Sequence, residues 1–287
     1  MEIEFAQQKL ESLRKQAIYL FIGAAIAFVF GIVIVFKSLN VGILILISAV
    51  GLFVCAIFKE GSYNSKVKEF FVVDIFQQYF DEVKFASGGF KSDFIRSSEL
   101  IGLANVFSSN DLLSGKYRDV EFQQSDILVQ RRQRVGKSSV TTTLFKGQYR
   151  VFEFNKRFTS YLQVRDKEGF LFGNAKPYQF FTERAATKKV KLENSEFNNK
   201  FDVYASDEHE AFYILTPHFM EKIMKLNESM NSQVLIGFID NQLHVAVNNG
   251  EDFFEPSLWD PLDESYFKRV DEEIKAIIEI IDILDLD

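Results

Sequence analysis

Two long apolar runs near the N-terminus constrain the fold of this 287-residue chain more than any other feature. Residues 17–36 contain no charged residue, and as a helix they would be about 30 Å long, the thickness of a bilayer's hydrocarbon core. Residues 41–58 form a second uncharged run, about 27 Å long as a helix. Both runs are predicted to be transmembrane helices. A cleaved signal peptide would have a shorter apolar core and would not be followed so closely by a second span.

Only residues 37–40 separate the two runs, so the sequence predicts an antiparallel transmembrane hairpin over residues 17–58. Residues 1–16 place apolar side chains at helical spacing and are predicted to form a cytoplasmic extension of the first helix. Lysine and arginine are more frequent at the outer ends of the hairpin than in its connection, which is typical of cytoplasmic flanks. These residues are Lys9, Arg14 and Lys15 before the first span, Lys59, Lys66 and Lys68 after the second, and Lys37 between them. Both termini and the soluble domain are therefore predicted to lie in the cytoplasm.

Small residues on the two runs predict how the helices pack. Gly23, Ala27 and Gly31 recur every four residues, and Gly51 and Cys55 offer a matching pair on the second helix. Cys55 is also the only cysteine, so no internal disulfide can form, which fits a reducing compartment.

The rest of the chain, residues 61–287, is predicted to be soluble, as either one domain or two halves covering residues 61–186 and 187–287. A polar break at residues 61–64 precedes apolar residues at helical spacing, which predict a helix over residues 66–80. From Tyr117 onward the apolar period changes to two, which predicts an antiparallel meander. Its strands are predicted at residues 117–124, 126–133, 141–154 and 160–166.

The second part of the domain is predicted to mix strands with helices. Strands are expected at residues 190–194, 202–207, 210–215, 234–240 and 243–248, with hairpins joining the second to the third and the fourth to the fifth. Thr216-Pro217 predicts the start of a helix, with Thr216 as its N-cap. An apolar stripe over residues 265–286 predicts a final helix. The predicted fold class is α+β: an N-terminal transmembrane helical hairpin followed by a mainly antiparallel β-sheet domain with a mid-domain helix and a C-terminal amphipathic helix.

Charge is segregated along the soluble part of the chain. Residues 130–200 hold 16 Lys and Arg against 6 Asp and Glu, whereas residues 201–287 hold 5 against 20. Two basic groups are predicted to bind anionic lipid headgroups, because each cation near an anionic leaflet contributes about 1 kcal/mol of attraction. They are Arg131, Arg132, Arg134 and Lys137 on a predicted hairpin tip, and Lys188, Lys189 and Lys191. The alternative is that these cations pair with the acidic C-terminal third or stay solvated.

The run Asp207, Glu208, His209 and Glu210 is the candidate for catalysis, because grouped carboxylates can perform acid and base chemistry. The alternative is a solvated turn between two strands. No cofactor or metal is predicted, since no complete motif for either occurs. Nucleic acid is not predicted as a partner, because the chain has a net charge of −7 and carries no recognition motif.

Several segments resemble a family of bacterial two-span membrane proteins that carries only a domain-of-unknown-function label. The matching segments are Phe145-Lys146-Gly147, residues 152–158, residues 190–193 with Phe197 and Phe201, residues 203–207, residues 211–217, and Phe254-Glu255-Pro256. Phe212 departs from the family pattern, in which an arginine is expected, so a charged role at that position is not carried over. The resemblance implies a bacterial cytoplasmic (inner) membrane protein and supplies no activity.

These features favour a non-enzymatic binding or scaffold module on the cytoplasmic side of the membrane. Besides the lipid bilayer itself, its predicted partner is another protein or the anionic headgroups of the leaflet. The alternative is a membrane-tethered enzyme with a dispersed acid and base site at residues 207–210. A concave pocket with perturbed carboxylates at that position would favour the enzyme.

Overall fold

The computed structural model describes residues 2–69, 73–154, 156, 158–167, 187–230, 232–252, 256–259, 262 and 264–287, with the backbone alone for residues 2–8 and 264. Residues 155, 157, 254 and 255 of the family-like segments therefore lie outside the described residues. The chain forms two compact units. The first comprises Met1–Ile75 and Phe254–Asp271, and the second comprises Phe76–Phe253 and Glu272–Asp287.

The first unit contains the predicted helical hairpin. Helix α1 spans Glu2–Val35 and helix α2 spans Leu39–Val67. Each contains a stretch long and apolar enough to cross a membrane. The prediction that residues 1–16 extend the first helix is confirmed, but the predicted break at residues 61–64 is wrong. Helix α2 continues through this polar stretch, where Tyr63 is fully buried.

Of the small residues predicted for the seam between α1 and α2, Gly31 is buried there, and the other buried positions differ from the prediction. The buried positions recur every seven residues: Leu10, Ala17, Ala24 and Gly31 on α1, and Gly42, Ala49, Ala56 and Tyr63 on α2. A seven-residue period is typical of helices that coil around each other with a left-handed twist. A Cβ atom on Gly42 would lie 2.5 Å from the backbone nitrogen of Val35, so this glycine permits a close approach. A Cβ atom on Gly23 or Gly51 would meet nothing within 4 Å, and Cys55 is exposed.

The second unit is built on a nine-stranded antiparallel sheet. Its strands are β1 (Asp81–Gly88), β2 (Val106–Tyr117), β3 (Val120–Val135), β4 (Ser138–Glu153), β5 (Leu162–Asp166), β6 (Lys188–Val190), β7 (Phe201–Ala205), β8 (Gln233–Ile239) and β9 (Gln242–Asn248). They lie in the order β1-β2-β3-β4-β9-β8-β5-β7-β6, and neighbouring strands pair antiparallel. The α+β prediction is therefore confirmed.

The remaining helices precede, separate or follow the strands along the chain. They are α3 (Val73–Phe76), α4 (Ser92–Ser98), α5 (Ser195–Lys200), α6 (Glu208–Ile214), α7 (Pro217–Met230) and α8 (Glu264–Leu284). The helix predicted over residues 66–80 is replaced by the end of α2 and by α3, with residues 70–72 outside the described residues. The mid-domain helix and the C-terminal helix are confirmed. Thr216 caps α7 as predicted, since its Oγ1 accepts a hydrogen bond from the backbone nitrogen of Phe219 at 3.3 Å.

One difference from the predicted strands concerns the meander. The segments 117–124 and 126–133 belong mainly to one strand, β3, which follows a two-residue turn at Arg118 and Asp119. Both turn residues have positive φ angles, 45° and 70°, as tight hairpins of this type require. The hairpin predicted between residues 234–240 and 243–248 is confirmed, with Asp240 and Asn241 at φ angles of 49° and 63°.

The strand predicted at residues 210–215 is wrong, because α6 occupies this segment. Asp207 caps α6 by accepting a hydrogen bond at Oδ1 from the backbone nitrogen of Glu210, 3.0 Å away. Ala211 and Ile214 then fall three residues apart on the buried side of the helix. A five-residue apolar run fits either period, and the cap decides in favour of the helix.

The two faces of the sheet carry different side chains. One face is an apolar core, formed with α4 and its flanking residues, that contains Phe90, Ile95, Leu100, Ile101, Ile127, Val129, Leu144, Phe145, Tyr149, Val151, Leu235 and Ala246. Because neighbouring strand residues point to opposite faces, Asp126, Gln148 and Arg150 lie on the other face. They are nevertheless buried, and Arg150 pairs there with Glu273 of α8.

Candidate functional site

The hairpin between β3 and β4 extends beyond the neighbouring strands. Strand β2 pairs with β3 only as far as Gln130, and β9 pairs with β4 only from Gln148 onward. Residues 131–142 therefore form a two-stranded projection, which we call the basic arm. Its five residue pairs make it roughly 15 Å long. Asn105 fastens its base by two hydrogen bonds to the backbone of Arg132, at 2.7 and 2.8 Å.

The cations of the basic arm are largely in solvent. Arg132, Arg134 and Lys137 are exposed and Arg131 is half-buried, so the predicted hairpin tip is confirmed as their location. No Asp or Glu occurs in the sequence between Asp126 and Glu153. Within the part of the chain that the structure describes, none of the four cations forms an ion pair with a carboxylate. The alternative in which they pair with the acidic C-terminal third therefore has no described contact to support it.

The basic arm also exposes two apolar side chains. Val135 is 60% exposed and Val140 is 51% exposed. Val135 directly follows Arg134 in the sequence, and Val140 lies three residues after Lys137. A surface that combines cations with exposed apolar groups resembles the segments that rest at a bilayer surface.

The second predicted basic group lies on and just after β6, and one of its lysines forms an ion pair within the domain. Lys188 and Lys191 are exposed, but Nζ of Lys189 lies 2.8 Å from Oδ1 of the buried Asp202. Lys167 lies 3.1 Å from the same oxygen. Burial alone would raise the pKa of Asp202, but these two lysines outweigh it and lower the pKa. Lys189 thus pairs with Asp202, a residue of the acidic C-terminal third, as the alternative proposes.

The candidate catalytic run, residues 207–210, lies at the start of α6 and forms structural contacts there. Glu210 accepts hydrogen bonds from the backbone nitrogens of Thr159 and Ser160, at 3.0 and 2.7 Å. Hydrogen bonds from Ser160 and Thr159 lower the pKa of Glu210 to about 2. A general acid at neutral pH needs the opposite shift. Asp207 is the cap of α6, and Glu208 and His209 are exposed.

Sequence reasoning missed a group of buried carboxylates on the polar face of the sheet. Asp111, Asp126 and Asp252 each place a carboxylate oxygen within 4.8 Å of the others. Burial, followed by the charge of Asp252, raises the pKa of Asp126 well above its usual range. These residues are 15 and 126 positions apart in sequence, so no local spacing identifies them. The only signal is that Asp126 immediately precedes an apolar run in a strand.

Sequence reasoning also missed His244, which lies on the apolar face. The Tyr149 hydroxyl and His244 Nδ1 are 2.9 Å apart, and the His244 ring stacks near Phe94. The hydroxyl donates this hydrogen bond when Nε2 carries the imidazole proton. Burial lowers the pKa of His244 to about 3, so the ring is neutral at physiological pH.

Comparison with known proteins identifies the family. Residues 143–286 match the family model described as "Protein of unknown function (DUF3137)". The chain belongs to this family. The predicted resemblance to a family with a domain-of-unknown-function label is thus confirmed, and most of the segments that carried it lie inside the match. Together with the two apolar helices, the DUF3137 match supports a membrane protein of unknown function.

Other comparisons add little to the DUF3137 assignment. No curated protein matches the chain. Among solved structures, the chain is similar to the crystal structure of the mycobacterial trehalose monomycolate transport factor A, TtfA, at 8% sequence identity and a TM-score of 0.38. The alignment covers 77% of this chain and 95% of that chain. A likeness at that score supports no inference about function.

Proposed function

We propose that this DUF3137 protein is a membrane-anchored, non-enzymatic binding module whose basic arm binds the anionic surface of a bilayer. The observation that carries this proposal is the composition of the arm: four cations and two exposed valines, with no carboxylate in its sequence. An acidic protein surface would satisfy the cations. A bilayer surface satisfies both the cations and the valines, because headgroups lie directly above acyl chains.

The lysine and arginine residues around the hairpin support a cytoplasmic location for both termini and for the arm. In a bacterial cytoplasmic (inner) membrane, the cytoplasmic leaflet carries anionic lipids, which attract cations within a Debye length of about 8–10 Å. Four cations at about 1 kcal/mol each are sufficient for reversible docking of a domain that is already tethered. An alkaline phosphatase fused after Asp287 is expected to be inactive. An active fusion would place the domain on the opposite side and remove this support.

The enzyme alternative has no observation in its favour. It would need carboxylates at residues 207–210 with pKa values moved toward neutrality. Glu210 has a lowered pKa, and its hydrogen bonds hold the loop at Thr159 and Ser160.

Lipid binding by the arm is tested with the full-length protein carrying Cys55→Ser, so that an introduced cysteine is unique. Val135→Cys is labelled with an environment-sensitive fluorophore, and the protein is placed in nanodiscs of phosphatidylcholine with increasing phosphatidylglycerol. We expect a blue shift and protection from a soluble quencher in the anionic discs alone. Arg134→Glu is expected to weaken docking about 30-fold, since it removes an attraction of about 1 kcal/mol and adds a similar repulsion.

Matched controls separate local docking from net charge. Lys225→Glu makes the same charge change at an exposed site on α7 and is expected to leave the shift intact. The same fluorophore at Glu208→Cys, away from the arm, is expected to report water in all discs. Equal shifts in neutral and anionic discs, or equal effects of Arg134→Glu and Lys225→Glu, would overturn the lipid proposal. An arm that stays wet in every disc but crosslinks to an acidic protein in native membranes would replace the bilayer with that protein.

A further inference from the structure

The polar face of the sheet collects carboxylates from three separate segments. Asp111 comes from β2, Asp126 from β3, and Asp252 from the residues that follow β9. Asp111 is 1% exposed and Asp126 is 4% exposed, while Asp252 is half-buried. Three ionised carboxylates this close repel one another when water is excluded, so a proton or a cation beside them is stabilising.

One oxygen of the group points to a ligand independently of the clustering. The Oδ1 atom of Asp126 accepts a hydrogen bond from Nε2 of Gln148 at 3.0 Å. Its Oδ2 atom is fully buried and accepts no hydrogen bond within the described part of the chain. Burying a carboxylate oxygen without a donor costs free energy, because the oxygen loses its hydrogen bonds to water and forms none with the protein.

The neighbours of Asp126 hold it in one orientation. Gln148 is itself oriented by Asn249, whose Nδ2 donates to Oε1 of Gln148 at 2.8 Å. The second contact of Gln148, to the backbone oxygen of Glu251, is longer at 3.4 Å and ties in the segment that carries Asp252. Partners that orient a metal-ligating carboxylate from behind are usual in metal sites.

The buried guanidinium of Arg150, on the same face of the sheet, is already engaged elsewhere. Arg150 donates from Nη2 to Oε1 of Glu273 at 2.5 Å and from Nε to Oε1 of Gln124 at 3.1 Å. Within the described residues, Asp126 forms no ion pair with a basic side chain.

We infer that Asp111, Asp126 and Asp252 bind a hard divalent cation, and that calcium is the ion that fits. Carboxylate oxygens without any nitrogen or sulfur donor select hard cations. Calcium binds oxygen at roughly 2.3–2.6 Å, so two of its ligands lie up to about 5 Å apart. Magnesium binds at roughly 2.0–2.1 Å, so its ligands lie at most about 4.2 Å apart. The three oxygens lie within 4.8 Å of one another, a separation that calcium spans in full.

The inference is tested on the full-length protein in detergent, stripped with a chelator and titrated with Ca²⁺ alone by isothermal titration calorimetry. We expect one bound Ca²⁺ per chain and a saturable rise of the thermal midpoint. Mg²⁺ titrated in parallel is expected to bind at least about tenfold more weakly, because it dehydrates reluctantly and demands near-ideal octahedral geometry. Gln148→Leu, which removes the orienting partner, is expected to weaken Ca²⁺ about 10- to 100-fold.

Asp126→Asn keeps the test decisive if other variants fail to fold. It removes one charge from a buried acidic group, so the metal-free variant is expected to melt no earlier than the wild type, yet to bind no Ca²⁺ at millimolar concentration. Asp119→Asn changes a carboxylate that is 97% exposed and is expected to bind Ca²⁺ like the wild type. No Ca²⁺ binding by the wild type, or unchanged binding by Asp126→Asn, would overturn the inference in favour of a shared proton. A loss of binding in Asp119→Asn equal to that in Asp126→Asn would likewise place the ion elsewhere.

Discussion

Glu273→Leu is expected to lower the free energy of unfolding by about 3–5 kcal/mol, because it leaves the Arg150 guanidinium buried without its countercharge. Arg150 is 2% exposed and Glu273 is 0% exposed, so water cannot replace the missing carboxylate without opening the domain. The measurement is urea unfolding of the full-length protein in detergent micelles, followed by far-ultraviolet circular dichroism. The single tryptophan, Trp259, lies in the other unit and does not report on this pair.

A matched control is available on the same helix. Asp282 of α8 lies 2.9 Å from Arg118, a similar contact in which the two side chains are 42% and 55% exposed. Asp282→Leu is expected to cost less than about 1 kcal/mol, since solvent screens exposed ion pairs. Equal costs for Glu273→Leu and Asp282→Leu would contradict the assignment of the large effect to a desolvated charge.

Replacing both partners separates the cost of an orphaned charge from the value of the pair. Arg150→Met with Glu273→Leu substitutes apolar side chains of similar size and is expected to recover most of the stability lost in the single variant. Recovery will be incomplete, because Gln124 loses the hydrogen bond from Arg150 and stays buried, at a cost of about 1–3 kcal/mol. A double variant no more stable than Glu273→Leu would show that the pair itself stabilises the packing of α8.

Much of the fold could be predicted where the physical signal is local. The hairpin helices follow from uncharged length, the start of α7 from Thr216 followed by Pro217, and the β8–β9 turn from the polar residues between two strands. Strands β1 and β2 were not predicted, because β1 is an exposed edge strand and β2 is rich in serine, asparagine and glycine. Neither shows the apolar alternation that identifies a half-buried strand.

The polar face of the sheet could not be predicted for a tertiary reason. Gln124 and Asp126 belong to a polar stretch, residues 123–126, that indicates a solvated segment, yet both are buried. The one local signal is Glu273, a charge that interrupts the buried stripe of α8 between Val270 and Ile277. That interruption requires a buried partner, but nothing in the sequence identifies it as Arg150.

The two candidate sites also differ in whether their residues are close together in the sequence. The basic arm could be predicted because its four cations are close in sequence and flank Gly136, which turns the hairpin with a φ of 62°. The carboxylate group could not, because its members meet only when β2, β3 and the segment after β9 are side by side. Charge spacing along the chain therefore locates surface sites on hairpins and fails for sites assembled across strands.

His244 is expected to make the second unit sensitive to mild acid. Its folded-state pKa of about 3 lies below the ordinary value of 6.5, so below pH 6.5 the unfolded chain binds a proton that the native chain excludes. The stability it contributes is therefore present at pH 7 and is lost as pH falls from 6.5 toward 3. Between pH 7 and pH 5 the loss is about 2 kcal/mol, a result that hardly depends on how far below 5 the folded-state pKa lies.

The loss can be assigned to His244 by comparing slopes. His244→Asn retains a polar group near Tyr149 but cannot titrate. Between pH 7 and pH 5, its free energy of unfolding is therefore expected to fall by about 2 kcal/mol less than that of the wild type. The facing phenol of Tyr149 stays neutral because burial raises its pKa. Asp126, whose raised pKa gives the opposite slope, is present in both proteins and cancels in the comparison.

The exposed His218 supplies the control for histidine titration in general. His218→Asn is expected to keep the full acid dependence of the wild type, because the His218 side chain is 77% exposed to solvent. The measurement is the urea midpoint at pH 7, 6 and 5 for all three proteins. Parallel curves for the wild type and His244→Asn would contradict the prediction, because they would mean that the imidazole is protonated in the folded state. A ring packed between Tyr149 and Phe94 cannot carry that charge without admitting water.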